Sequence, residues 1–215
     1  ILISDDLYDG QSLLSPVLNS VAHVQNIMYL SSNSYTDNNA FKRAIMNYGG
    51  VYTSIYSTGS YEQYYTGTNS NHAVCIVGWD DDKYISRAPG KGAWICKNSW
   101  GNWGYNGFFY VSYYDRSCAP VGVSDASYVF IFNDTLKYDK NYQYDIPGKT
   151  DYFLNDTHTV WYKNKFTSTD NEYLAAVSTY FLENTNWELS IFVNNALKST
   201  MEGFSIPGYY TIELS

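Results

Sequence analysis

The chain's 215 residues, 45% of them apolar, are enough for one large or two small domains with packed cores. Its 21 acidic and 13 basic residues give a formal charge of -8, which disfavours polyanions such as nucleic acid or anionic lipid as partners. No run approaches the ~20 consecutive apolar residues of a membrane span, none has the layout of a secretory signal, and the first residue is Ile1, so a leader has been removed or the chain starts inside a longer polypeptide.

Aromatic residues make up 19% of the chain and charged residues only 16%, a balance that suits strands whose exposed faces carry hydroxyls and amides. In the segment DNNAFKRAIMNY, residues 37–48, Phe41, Ala44, Ile45 and Tyr48 fall at helical spacing. One apolar stripe results, with Thr36 or Asp37 to cap its start and Gly49-Gly50 to stop it. VYTSIY at 51–56 predicts a strand. After a polar loop, HAVCIVGW at 72–79 predicts a buried strand that the run DDDK at 80–83 ends. Asp80, Asp81 and Asp82 are adjacent rather than spaced as alternate ligands, so they read as a solvated turn and not as a calcium loop. AWICKNSW at 93–100 and GFFYVSYYD at 107–115 predict two further strands.

Small residues and a Pro in RSCAPVGVSDAS, residues 116–127, place a domain boundary between 125 and 126. Beyond it YVFIF, HTVWYKNKF, EYLAAVSTYFL and WELSIFV recur between Asn, Asp, Thr and Gly, the pattern of an antiparallel sandwich. In the last of these Trp187, Leu189, Ile191 and Val193 alternate with polar neighbours and predict one buried face. Asn133-Asp134-Thr135 and Asn155-Asp156-Thr157 match the glycosylation acceptor pattern, which is short enough to arise by chance. The cysteines Cys75, Cys96 and Cys118 are odd in number, so at most one disulfide forms within the chain and one thiol stays free. Cys75 and Cys96 sit in apolar runs and are expected to be buried, and Cys118, in the linker, to be the most accessible.

The chemistry is concentrated in NHAVCIVGW at 71–79 and KNSWGNWGYNGFFYVSYYD at 97–115. Together these resemble the two downstream active-site segments of papain-like cysteine peptidases. The resemblance assigns a catalytic imidazole to His72, the amide that orients it to Asn98, and the indole over their hydrogen bond to Trp100. It also places Ser54, Asn71 and Trp100 along the substrate cleft. A thiol is a good nucleophile as thiolate, and a neighbouring imidazole lowers the cost of that charge by becoming imidazolium. The second ring nitrogen must then be held, and a carboxamide oxygen accepts its proton without adding a competing charge. No Cys precedes His72, which lies only 71 residues in, so the family's nucleophile is missing from this chain. Cys75 is no substitute, because residues three apart on a strand point to opposite faces.

The expected fold is mainly β with some helix (α+β): residues 1–125 form the downstream half of a papain-like domain, a β-barrel half with one helix near 37–48. Residues 126–215 form an incomplete antiparallel β-sandwich. The accessory region, with GWDDD and SYYD running into YVFIFNDTLKYDKNYQYD, resembles the lectin-like module of prokaryotic cell-surface cysteine peptidases. The resemblance implies a cysteine endopeptidase fragment acting on peptide or protein substrates at a prokaryotic cell surface or outside the cell. It implies that the fragment is inactive without its Cys-bearing half, and that it has no metal or cofactor at the catalytic site. In the accessory module it implies calcium as an occasional ligand and cell-wall polymer as a candidate partner. The rival readings are a non-catalytic surface-binding protein that uses the lectin-like module on a papain-like scaffold, and an inactive peptidase homologue whose full-length gene also lacks the Cys.

Overall fold

The protein is described here by a computed structural model covering residues 23–123, 126–133, 138–144 and 157–214. Its first strand, β1 (His23–Leu30), precedes the helix α1 (Asn39–Tyr48). The helix starts after Asn38, whose side chain makes no capping bond, and not at Thr36 or Asp37. It ends where Gly49 turns left-handed at φ 88° and its N–H reaches the Ile45 carbonyl at 2.8 Å. Phe41, Ala44 and Ile45 are buried as the stripe requires, whereas Tyr48, on the last turn, is exposed. Next come β2 (Val51–Ile55), the two-residue β3 (Glu62–Gln63), β4 (His72–Tyr84) and β5 (Lys91–Lys97). A short turn of helix, α2 (Trp103–Asn106), leads into β6 (Phe108–Ser112) and β7 (Ser127–Asn133). The chain closes with β8 (Ala176–Phe181), β9 (Thr185–Val193), β10 (Ala196–Ser205) and β11 (Gly208–Glu213).

Among the described residues nine strands join in one open sheet, ordered β3-β6-β5-β4-β2-β7-β1-β11-β8, and β9 pairs with β10 as a separate ribbon. The mainly β class stands, but the sheet ends at edges β3 and β8 and is not closed into a barrel. It also runs across the boundary expected at 125/126. β7 pairs with β1 and β2, and β11 pairs β1 with β8. The acidic triplet does not end β4. That strand continues through it to pair Tyr84 with Lys91, and a register irregularity between Asp80 and Tyr84 absorbs the turn, in which Asp80 Oδ1 accepts the N–H groups of Asp82 and Lys83 at 3.0 Å each.

The core lies between α1 and the sheet, where alternate residues of β2, β4, β5 and β6 meet the helix stripe. Val51, Ile55, Ile76, Cys96 and Val111 are fully buried, and each large aliphatic side chain so placed contributes about 1.5–3 kcal/mol. Trp94 is wedged between Phe41, at 5.7 Å between ring centroids, and Tyr113, at 4.6 Å. Gly92 lies beneath this wedge at φ 107°, and a Cβ there would sit 2.2 Å from the Tyr113 ring, so only glycine fits. Lys42 ties the helix to the β4–β5 hairpin, its ammonium 2.6 Å from Asp81 Oδ1 and over the rings of Trp79 and Tyr113.

Tyr113 donates its hydroxyl to Asp81 Oδ1 at 2.9 Å. Burial, then this hydrogen bond, pushes its phenol well above the ordinary range, so it stays protonated in the folded chain where an unfolded tyrosine ionises near pH ~10. The folded state then holds more protons than the unfolded one. The group's stability is full below that pH and is lost as the pH rises. Tyr113→Phe is therefore expected to flatten the decline of the urea unfolding midpoint between about pH 9 and 11. The same slope in both proteins would show that another group causes it.

Beyond β7 the expected strand HTVWYKNKF does not form. Residues 157–175 run as irregular chain with Val160, Trp161, Tyr162 and Tyr173 exposed, and without burial of a side-chain face nothing drives strand pairing there. That segment is fastened instead by side chains. Lys140 bonds to Asp170 and Glu172, Tyr142 donates to Glu172, Tyr144 donates to the Lys165 carbonyl, and Tyr144 stacks on Phe166. In the β9–β10 ribbon Trp187, Leu189 and Ile191 are only half-buried and Val193 is exposed, so the expected buried face is partial. Asp134 and Thr135, and Asn155 and Asp156, which complete the two glycosylation-type matches, lie outside the described residues.

Candidate active site

His72 opens β4 opposite Ile55 of β2, and Asn98 follows the last residue of β5. Cys75 pairs with Lys97, so extending that register by one residue sets Asn98 against Val74. His72 lies two residues before Val74 on the same face of β4, which makes it the diagonal cross-strand neighbour of Asn98. The separation of 26 positions is taken up by the β4–β5 hairpin, and the two side chains meet with His72 Nε2 2.9 Å from Asn98 Oδ1.

The carboxamide is held from several sides. Asn98 is only 4% exposed, its N–H donates to the Gly107 carbonyl at 2.9 Å, and Oδ1 accepts the Ser99 N–H at 2.8 Å. That second bond identifies the oxygen, and not the amide nitrogen, as the atom facing the ring. An oxygen cannot donate, so Nε2 carries the proton and donates to it, leaving Nδ1 on the far side of the ring to exchange a proton. Trp100 stacks on the imidazole at 4.4 Å between centroids with 27° between planes, although the indole's other side is open to solvent. Trp103 braces Trp100 edge-on at 5.2 Å and is itself packed against Tyr61 and Phe109. One aromatic stack thus fixes the ring from above, and low local dielectric strengthens the bond beneath it.

The other expected site residues stand apart from this trio. Asn71 has its side-chain oxygen engaged by the Ser57 N–H at 2.7 Å, and its own N–H reaches the Ile55 carbonyl at 2.9 Å, so it closes the loop between β2 and β4. Ser54 pairs with Ala73 on the opposite face of the sheet from Val74. That face holds a shallow depression of 290 Å³ lined chiefly by Tyr52, Ala73, Cys75, Lys97 and Ser99. Sequence patterning had not singled out Ser99, whose N–H orients the Asn98 oxygen, or Lys97, whose ammonium donates to the Asn98 carbonyl at 3.1 Å. Both lie within the motif KNSWG, the signal that pointed to Asn98 itself.

The thiols reverse the expected order of access. Cys118 is 1% and Cys96 0% exposed, while Cys75 is half-buried and the most accessible of the three. The linker that carries Cys118 is folded back over the sheet interior, where the Ala119 N–H donates to Thr53 Oγ1 at 3.2 Å. A thiol reagent added to the folded, reduced chain is expected to modify Cys75 first, and slowly, since burial raises its thiol above the ordinary value. Earlier labelling of Cys118 would contradict this packing.

Among the described residues no three His, Cys, Asp or Glu side chains converge as metal ligands. Asp81 and Asp82 are engaged by Lys42, Tyr113 and Lys91. No helix among them is long and apolar enough to cross a membrane.

An imidazole donating to a carboxamide beneath an indole, at the end of two sheet strands, is the arrangement the family resemblance implied. The sequence model of the papain family of cysteine proteases matches residues 15–129, and the chain belongs to that family. It is 34% identical over 94 residues to cysteine proteinase 1 of Zea mays, covering 41% of this chain and 25% of that protein. It is 38% identical over 61 residues to a cysteine proteinase of Carica papaya, covering 27% of this chain and 64% of that one. The chain thus spans less than two thirds of either relative. Among solved structures it superposes on the clostridial cysteine protease Cwp84 after propeptide cleavage with a TM-score of 0.70 at 21% identity, over 96% of this chain and 55% of that one. It superposes equally, at a TM-score of 0.70 and 22% identity, on the cysteine protease and lectin-like domains of Cwp84, a surface layer associated protein of Clostridium difficile, over 95% of this chain and 49% of that one. At these identities the likeness is one of fold.

Proposed function

We propose that this chain is the His- and Asn-bearing part of a cysteine endopeptidase whose nucleophilic thiol is supplied by a further stretch of polypeptide. The observation that carries the reading is the 2.9 Å bond from His72 Nε2 to an Asn98 oxygen whose orientation Ser99 fixes. With Nε2 committed to Asn98, Nδ1 takes the thiol proton and the thiolate attacks the peptide carbonyl. The same nitrogen then returns the proton to the departing amine, leaving an acyl-thioester that water hydrolyses. No metal or organic cofactor enters these steps.

The Cys-bearing half would seat against the outer face of the sheet. Tyr52 and Tyr128 stack there at 5.3 Å and Phe130 packs against both, all three only half-buried. A large aromatic surface left partly in water is a surface suited to a partner. Residues 126–215, in this reading, are part of a lectin-like module toward cell-wall polymer, and the protein works at or outside a prokaryotic cell surface, as the surface-layer association of Cwp84 suggests.

The test is to mix this chain with the separately expressed upstream half and follow cleavage of a fluorogenic peptide. Cleavage by the mixture alone, abolished by a Cys-directed inhibitor, supports the reading. Equal cleavage by this chain by itself overturns it and requires a nucleophile among its own residues.

A further inference from the structure

Cys96 and Cys118 share one interior. Cys96 pairs with Ile76 of β4 on one side and Phe109 of β6 on the other, and all three side chains are at most 2% exposed. Cys118 reaches the same interior from the segment after β6, which is pinned on both sides of it. Before it, Ser117 donates its N–H and hydroxyl to Asp115 Oδ1 at 3.0 and 2.6 Å and accepts the Tyr56 N–H at 2.9 Å. After it, Ala119 adopts a left-handed φ of 46° and donates its N–H to Thr53 Oγ1. A non-glycine residue is held in that conformation only when its surroundings over-determine it, so the backbone next to Cys118 is fixed in place.

From this arrangement we infer that Cys96 and Cys118 are a disulfide-forming pair, and that the odd cysteine left over is Cys75. The two side chains belong to one buried cluster, and the neighbouring Cys96 thiol together with burial pushes the Cys118 thiol well above its ordinary value. Both thiols are closed off from solvent once the core has formed, so the bond forms as the chain folds. With a small-molecule disulfide such as oxidised glutathione as oxidant, the exposed Cys118 thiolate of the folding chain attacks one glutathione sulfur and expels the other as thiolate. Cys96 thiolate then attacks the Cys118 sulfur and expels the second glutathione thiolate. Two protein thiols lose two protons and two electrons, and the oxidant gains them as two glutathione thiols. The bond ties β5 to the segment that anchors β2, and so braces the strands that carry Asn98 and face His72.

The inference does not depend on the peptidase reading, and its test reads mass. The full chain is refolded in a glutathione redox buffer, alkylated under denaturing conditions and digested at Lys and Arg. The expected product is peptide 92–97 joined to peptide 117–137, two hydrogen atoms lighter than their sum, with only the Cys75 peptide alkylated. The joined peptide should disappear on reduction before alkylation, and the reduced chain should melt at lower temperature. Three alkylated cysteines after refolding, or a linked peptide that contains Cys75, would overturn the inference. A Cys75→Ala chain gives the same readout without its third thiol, and should show no alkylation at all.

Discussion

Replacing His72 with Ala is expected to lower inhibitor-sensitive peptide cleavage by about 10⁴-fold or more once the thiol-bearing half is supplied, because a nucleophile and its base act as a unit. The loss should fall on kcat, with KM little changed, since the ring contributes to bond making rather than to holding substrate. Asn98→Ala should cost less, within the ~10² to 10⁴ that positioned proton transfer contributes, because the indole of Trp100 still stacks on a ring that can now turn. Full cleavage by the His72→Ala mixture in a progress-curve assay would remove the imidazole from the mechanism. Equal losses for the two variants would show that Asn98 does more than orient.

A second large effect is expected far from any chemistry. Asp115 is fully buried and forms no ion pair among the described residues, and its carboxylate accepts Gln63 Nε2 at 3.3 Å, the Tyr65 N–H at 2.8 Å, and both donors of Ser117. Gln63 in turn accepts the Thr58 N–H at 3.1 Å, and the Tyr56 and Tyr65 rings stack at 4.3 Å, so this one acid gathers the 56–66 loop and the post-β6 segment into a single unit. Asp115→Ala would strand these donors in a dry interior at a cost of about 3–5 kcal/mol, or a fall of about 10 °C in Tm for a chain of this size. Asp115→Asn, which keeps one carbonyl acceptor, should lose clearly less. A Tm shift below about 2 °C for the Ala variant would mean that water takes over the vacated bonds.

How much of this could be read from sequence depends on whether the cause was local. The meeting of His72 with Asn98 was legible because NHAVCIVGW and KNSWG each set the motif residue at the end of an apolar strand run. α1 was legible because the spacing of Phe41, Ala44 and Ile45 reports one buried stripe. Asp115 was not, since SYYD reads as a strand running out into solvent and its donors come from residues about 50 positions earlier. Cys118 was misplaced for the same reason. A linker of small residues predicts exposure, but the anchor that buries it is Thr53, 66 residues before Ala119. The passage of β4 through DDDK was hidden because three acids suggest a solvated stop, whereas Lys42 pairs with Asp81 and the Tyr113 hydroxyl hydrogen-bonds it within the hairpin. β1 went unrecognised because, among the described residues, HVQNIMYL pairs with β7 and β11, which lie about a hundred and about 180 positions downstream.

That last pairing bears on how the protein is made. Thr211 donates its N–H to Asn26 Oδ1 at 2.9 Å and its hydroxyl to the Gln25 carbonyl at 2.7 Å, joining residues 185 and 186 positions apart. A ribosome adding roughly 5–20 residues per second needs roughly 10–40 s to travel from the first partner to the second. Through that interval one side of β1 has no strand to meet, and its open backbone groups are free to recruit a neighbouring nascent chain. Contacts this distant also slow folding after release, because the loop must close before the pairing rewards it. Yield on expression should therefore depend more on chain concentration and on binding factors at the ribosome exit than on the stability of the finished sheet.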